Sequence, residues 1–140
     1  IALSCDLRFA APTARFCIPP AKMGFAYNAL PLERLAQLVG PGHALDLLYT
    51  ARTIDAAEAA RMGLVNDVAE DLDGLLNQRL LSILELAPLS HRAHKRVLNE
   101  APAPGSLAER VLTDHLYDSL DYQEAVAAFT ERRRPTFKGQ

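Results

Sequence analysis

Thr50-Ala-Arg-Thr-Ile-Asp-Ala-Ala-Glu-Ala-Ala-Arg-Met-Gly-Leu-Val-Asn-Asp-Val68 is the most densely punctuated stretch of the chain. Asp55 reads as a helix N-cap, its carboxylate accepting a backbone N–H of the first turn, and Glu58 three residues later is expected to close a capping box. Gly63 marks the end of that helix. Ala56, Ala59, Ala60 and Met62 give the helix a small-residue face able to pack closely. Residues 64–68 alternate like a half-buried strand. A capped helix running straight into a strand is an α/β unit.

Working outward, residues 7–10 and 14–18 read as two short strands around a turn at Pro12-Thr13, and Pro19-Pro20 stops the second. A loop is expected over residues 21–30. Pro31 suits a first helical position, and Leu32, Leu35, Leu38 and Val39 form an apolar stripe that ends at Gly40. Pro41 then opens another helix, with Ala44, Leu45, Leu47 and Leu48 on one face, running to Tyr49.

Beyond residue 68 strand signals cease. Helices are predicted over 72–86, 89–100, 106–120 and 122–133, with Ser106/Glu109 and Asp121/Glu124 as further capping boxes. Pro102-Ala-Pro-Gly105 is a linker, and Pro135 ends the last helix. The change from β/α to all-α near residue 70 divides the chain into 1–70 and 71–140.

The chain has 140 residues, 49% hydrophobic and 23% charged, which is the composition of a folded globular domain. A net charge of −2 offers no electrostatic reason to expect a nucleic-acid partner. No apolar run approaches the roughly 18 residues of a membrane span. Cys5 and Cys17 lack CxxC spacing or a flanking His, so they read as small core hydrophobes in a reducing, cytoplasmic setting. His91 and His94 at i,i+3 are a weak metal signal, and no metal site is expected. Arg132-Arg133-Arg134 reads either as a solvated helix end complementing the helix dipole or as part of a binding surface.

Three landmarks run in order along the chain. Ala2-Leu-Ser-Cys-Asp-Leu-Arg-Phe-Ala-Ala-Pro-Thr-Ala-Arg-Phe16 resembles "ALACDLRIAA…ARF", and Leu35…Leu38-Val39-Gly40-Pro41 follows it. Ser119-Leu-Asp-Tyr-Gln-Glu-Ala-Val-Ala-Ala-Phe-Thr-Glu-Arg-Arg-Arg-Pro-Thr-Phe137 resembles "SEDxxEGxxAFLEKRxPxF". With the 50–68 stretch, these motifs resemble the crotonase (enoyl-CoA hydratase/isomerase) superfamily. That resemblance implies an α/β fold, the C-terminal part of a crotonase (ClpP-like) ββα spiral, followed by an all-α trimerisation region. Ile1 to Ser4 enter an apolar helix without a cap, which is the expectation for a chain that begins inside a larger domain.

The resemblance also implies chemistry. The substrate would be a coenzyme A thioester reacting through a stabilised enolate, with no permanently bound cofactor, in a homotrimer or a dimer of trimers. Family hydratases use two glutamates; the first position falls before Ile1 and the second falls on Pro20, which cannot titrate. The acid position of dienoyl-CoA isomerases falls on Asn28. The loop Gly24-Phe-Ala-Tyr-Asn28 resembles the "GVPYN" loop of methylmalonyl-CoA decarboxylase, and Asp118-Ser-Leu-Asp-Tyr-Gln-Glu124 resembles that enzyme's "DSEDYQEG". Tyr27 and Asn28 are therefore the catalytic candidates, the alternative being a half-buried loop aromatic beside a turn residue. Glu33 and His43, both at helix starts, are weaker candidates. On the last helix, Phe129 and Arg132 match the family's aromatic and cation placed against a neighbour's CoA, Arg replacing Lys with a fork suited to phosphate. A decarboxylase and a catalytically silent acyl-CoA-binding or assembly subunit are the alternatives to a hydratase/isomerase.

Overall fold

The computed structural model describes residues 2–140; the expectation for Ile1 lies outside them. These residues form two compact units, the first reaching Asn77 and the second running Gln78–Gln140.

The first unit opens with a 3₁₀ turn, Ala2–Ser4, followed by β1 (Phe9–Ala10) and β2 (Arg15–Phe16). Next come a short helix α1 (Pro20–Met23), the long α2 (Ala29–Thr50), β3 (Ile54–Asp55), α3 (Ala56–Arg61) and β4 (Asp67–Val68). β1 pairs parallel with β4, Phe9 opposite Asp67, while β2 pairs antiparallel with β3, Phe16 opposite Ile54. A parallel pair needs a long crossover, and the helices between β1 and β4 supply it. The fold is thus α/β with more helix than strand, and the described residues after Val68 contain no strand.

The core is built from Leu35, Val39, Ala44 and Leu47 of α2, Ile54 of β3, Ala56 and Ala59 of α3, and Leu64 and Val65. Two of the four residues expected on the stripe before Gly40, Leu35 and Val39, are fully buried, while Leu45 and Tyr49 on the next face stay exposed. Gly40 takes φ 77° and ψ 156°, breaking α2 into two helices across a kink before Pro41. Pro has no N–H and crowds the preceding turn, so the break falls where the sequence placed it. Helix α2 starts at Ala29 rather than Pro31, since a missing N–H costs nothing anywhere in a first turn. The loop expected over 21–30 shrinks to 24–28: α2 takes its last residues and the single turn of α1, which Pro20 enters and Gly24 ends at φ 74°, takes its first.

Asp55 caps α3 as expected, accepting from Glu58 N at 2.8 Å. Glu58 does not close the box. Its carboxylate takes Arg52 instead, Nη2 to Oε1 at 2.6 Å and Nη1 to Oε2 at 3.0 Å, and Arg52 also reaches Asp46 at 2.7 Å. A doubly charged, forked contact is stronger than a return bond to one amide, so the guanidinium wins. The strand expected over 64–68 shrinks to its last two residues. Leu64 N and Val65 N both donate to Ala59 O, capping α3, so both side chains are buried and the alternation is lost.

The second unit takes the end of α4 (Leu72–Leu84), then α5 (Pro88–Glu100), α6 (Leu107–Thr113), a 3₁₀ turn Asp114–Asp118, and α7 (Leu120–Glu131). The helix expected over 106–120 is therefore broken. Ser119 ends its last turn and caps α7, accepting from Tyr122 N at 3.0 Å. That displaces Asp121 from the predicted cap. Asp121 is buried in the first turn of α7 and accepts from Lys138 N at 2.7 Å and Gly139 N at 2.9 Å, tying down the chain end. Ser106 does cap α6, accepting from Glu109 N at 3.2 Å.

Candidate functional site

In the first unit an open cleft of about 770 Å³ lies beside the start of α2. Its walls are largely apolar, among them Phe16, Ile18, Leu32 and Leu35, and Tyr27, Arg8, Cys5 and Cys17 also line it. Tyr27 leads into α2 with its ring edge-on to Phe25, centroids 5.9 Å apart. Asn28 is the N-cap of α2, extended at φ −65° and ψ 163°, yet its side chain makes no cap bond. Its amide is exposed beside the amides of the first turn. Tyr27 and Asn28 thus bring a hydroxyl and a carboxamide to one end of a helix, where the dipole favours negative charge. Pro20 is buried at the start of α1. It offers neither proton donor nor acceptor to the cleft beyond its carbonyl.

Both cysteines are exposed, correcting the expectation that they are core residues. The 3₁₀ turn and the short β2 place them at the cleft instead, and Cys17 Sγ donates to Ala51 O at 3.3 Å. Glu33 and His43 are exposed on α2 and do not line the cleft.

Arg8 and Arg34 are residues that sequence reasoning passed over. Arg8 is buried, its Nε donating to Leu64 O at 2.7 Å and Nη1 to Cys5 O at 2.6 Å, while Arg34 Nε donates to Leu3 O at 3.2 Å. Burial, then the neighbouring Arg34, holds the Arg8 pKa below the ordinary guanidinium value. A signal existed: Ala10 shares the face of Arg8 along the strand, and it is that face which is buried.

In the second unit, Phe129 and Arg132 sit at the C-terminal end of α7. Phe129 is 87% exposed, among the most open of the large apolar side chains. Arg132 takes the left-handed conformation, φ 55°, ends α7, and makes no side-chain ion pair among the described residues. Arg133 is different: it holds Glu124 through both guanidinium nitrogens and Glu131 through Nε. The arginine run is therefore one clamped residue between two open ones, with Arg134 only 4.0 Å from Glu85 at its nearest. A second cleft, about 460 Å³, is lined by Leu86, Leu89, Leu116 and Phe137 with His91 and His94. Among the described residues no cluster of His, Cys, Asp and Glu is suited to a metal ion, and no helix is long and apolar enough to cross a membrane.

The chain is similar along its whole length to known proteins. The family model "Enoyl-CoA hydratase/isomerase" matches residues 1–140. The protein named "Probable enoyl-CoA hydratase echA8" of Mycobacterium leprae is 38% identical over 143 residues, covering 98% of this chain and 56% of its own length. The methylmalonyl-CoA decarboxylase of Escherichia coli is 37% identical over 145 residues, again 98% of this chain and 56% of its own. Among solved structures, an enoyl-CoA hydratase/carnithine racemase from Magnetospirillum magneticum superposes with TM-score 0.90 at 34% identity, covering 99% of this chain and 53% of that one. The chain spans about half the length of the curated relatives it matches. From a family match along residues 1–140, relatives above 30% identity and a shared fold, the chain belongs to the enoyl-CoA hydratase/isomerase family of the crotonase superfamily.

Proposed function

We propose that this chain is part of an acyl-CoA enzyme that acts on a coenzyme A thioester through a stabilised enolate, with Tyr27 on the wall of the acyl cleft and Asn28 next to it in the chain as its catalytic groups. The observation that carries the reading is Tyr27 on the wall of a largely apolar cleft, with Asn28 beside it at the start of α2. An apolar cleft with few polar groups suits an acyl chain whose reacting carbons must be oriented. Phe129 and Arg132 supply the coenzyme A contact, an open ring three residues from an unpaired guanidinium.

Pro20 favours a particular version of this chemistry. Adding water to a 2-enoyl thioester needs a proton donor and a proton acceptor together, and loss of one such group is typically worth about 10²–10⁴ in rate. Decarboxylation of a malonyl-type thioester needs no base. The bond between the α-carbon and the carboxylate breaks, its electron pair enters the enolate, carbon dioxide leaves, and a proton is then taken up at the α-carbon. A tyrosine hydroxyl and an asparagine amide can hold the departing carboxylate out of the thioester plane. A methylmalonyl-CoA-type decarboxylase is accordingly the second reading, and similarity to the Escherichia coli decarboxylase supports it.

The protein would work without a permanently bound cofactor, in the cytoplasm, as a homotrimer or a dimer of trimers. Large exposed side chains along the second unit, such as Leu84, Leu98 and Leu107, support assembly. To test the catalytic reading, the full-length protein and its Tyr27→Phe variant are assayed side by side on crotonyl-CoA and methylmalonyl-CoA. Turnover of the preferred thioester is expected to fall about tenfold or more in the variant, ~1.4 kcal/mol of transition-state stabilisation. If the unaltered protein hydrates crotonyl-CoA at ordinary hydratase rates and the variant matches it, the Tyr27 role and the Pro20 reasoning both fall.

A further inference from the structure

Glu124 and Arg133 are nine residues apart, yet they meet through two parallel hydrogen bonds, Nη1 to Oε1 at 2.6 Å and Nη2 to Oε2 at 2.8 Å. An unbroken α-helix would carry Arg133 about 13 Å along the axis from Glu124, too far for this forked contact. The chain instead turns back at Arg132. Its φ of 55° and ψ of 39° put a non-glycine residue in the left-handed region, with its N–H capping Ala128 O and Phe129 O. Arg133 N follows onto Ala128 O at 3.0 Å. Glu124 Oε1 also accepts from Thr136 N at 2.9 Å, so the same carboxylate holds the chain on both sides of Pro135.

The left-handed conformation is unfavourable for a residue that carries a Cβ. Something must hold it. Glycine would adopt it freely, and here an arginine does so where its side chain has no ion-pair partner among the described residues. We propose that the Glu124–Arg133 pair is a positioning device: by locking the reversed turn, it presents Arg132 beside Phe129 for the phosphate-bearing part of a coenzyme A ligand. This deepens the reading of Arg132 given above and rests on it. Arg133 does not touch the ligand. Its guanidinium is fully engaged by Glu124 and by Glu131 Oε2 at 2.6 Å, leaving Arg132 as the group free to bind.

The physical logic divides neighbouring arginines into two tasks. A guanidinium that must meet phosphate needs a fixed point of projection, because ordering a long, mobile side chain on binding costs affinity. The αL turn supplies that point, and a bidentate carboxylate keeps the turn closed.

The test uses the full-length protein and calorimetric titration with two probes: free coenzyme A, and an acyl-pantetheine thioester, which has no phosphate. Glu124→Gln and Arg133→Met are each expected to weaken coenzyme A about tenfold, the size of one charge-assisted contact, and to leave the pantetheine thioester unchanged. Arg132→Gly, which relieves the backbone while removing the guanidinium, is expected to weaken coenzyme A similarly. The double variant Arg132→Gly with Arg133→Met should lose no more than Arg132→Gly alone, since both act through one contact. If Arg133→Met does not fold, Arg133→Lys gives the same reading with an intermediate loss. Were Arg132→Gly to weaken coenzyme A while the Glu124 and Arg133 variants bind normally, the positioning role would be wrong and the contact right. Equal weakening of both probes would mean a purely structural pair and overturn the proposal. Unchanged affinity in Arg132→Gly would remove the contact itself, and the positioning role with it.

Discussion

Arg8 Nε donates to the backbone carbonyl of Leu64 at 2.7 Å, joining residues 56 apart in sequence. The link is reinforced by Asn66, whose side-chain Oδ1 accepts from Arg8 N at 2.8 Å and whose backbone N donates to Arg8 O at 2.7 Å. Together they close the ends of the β1/β4 pair around the cleft that Tyr27 lines. A cation buried among carbonyls is costly to place and costly to remove, because the groups it satisfies are left without partners.

Arg8→Met is therefore expected to destabilise the protein by about 1–3 kcal/mol through the unpaired carbonyls of Leu64 and Cys5. Arg8→Lys should recover little, since one ammonium lacks the fork that spans both carbonyls. Urea denaturation checks this. A midpoint unchanged in Arg8→Met would show that the buried guanidinium contributes nothing net.

Two glycines at positive φ should respond differently to alanine. A Cβ at Gly63, φ 81°, would lie 2.9 Å from the backbone carbonyl of Leu38, whereas at Gly40, φ 77°, it would meet nothing within 4 Å. Gly40→Ala, at ψ 156° in a region that essentially only glycine populates, is expected to lose about 1–3 kcal/mol to backbone strain alone, while Gly63→Ala is expected to add to its strain the displacement of a backbone oxygen. Thermal melts measure both, and crystal structures of the variants show the displacement; a Gly63→Ala melt unchanged from the parent would mean that α3 can shift away from Leu38 freely.

The cap and the ion pair of α3 separate in the same way. Asp55→Ala removes the acceptor for Glu58 N and is expected to lose about 1 kcal/mol. Glu58→Gln leaves that cap intact and breaks a partly exposed pair with Arg52, so its loss should be smaller than that of Asp55→Ala and shrink in high salt. Denaturation at low and high ionic strength distinguishes the two. A salt-dependent loss in Asp55→Ala instead would assign the stabilisation to charge rather than to capping.

Acid should test the turn at Arg132. Hydrogen bonds from Arg133, then from Thr136 N, pull the Glu124 carboxyl from its ordinary 4.5 down to about 2. A group depressed in the folded state stabilises fully above its unfolded pKa and loses that contribution as pH falls through its folded value. The stabilisation should thus be whole above about pH 4.5 and fade towards pH 2. Side-chain carboxyl NMR of Glu124 over this range gives its titration directly. A midpoint near 4.5 would mean that the pair with Arg133 is not held in solution.

Much of the fold was legible because it is local chemistry. Asp55 and Ser106 cap their helices through i,i+3 bonds, and a carboxylate or hydroxyl before an apolar helical pattern announces that bond in the sequence. Gly40 with Pro41 likewise announces a break, because no continuous helix accommodates both. The order of helices after Val68, the linker at Pro102 to Gly105 and the motifs of the family follow from such short-range rules.

By itself, then, the sequence determined the family, most of the helices and the caps of α3 and α6, which depend on short motifs and on residues within a turn or two of one another. Only the tertiary structure decided where the charged side chains went. Glu58 abandoned its capping box for Arg52, Asp121 turned from a predicted cap into a buried anchor for Lys138 and Gly139, and Glu124 found Arg133 only because the chain reverses at Arg132. Tyr27 and the two cysteines share a cleft for the same reason. An ionised group takes the strongest partner within reach, and what lies within reach is set by packing between segments distant in sequence.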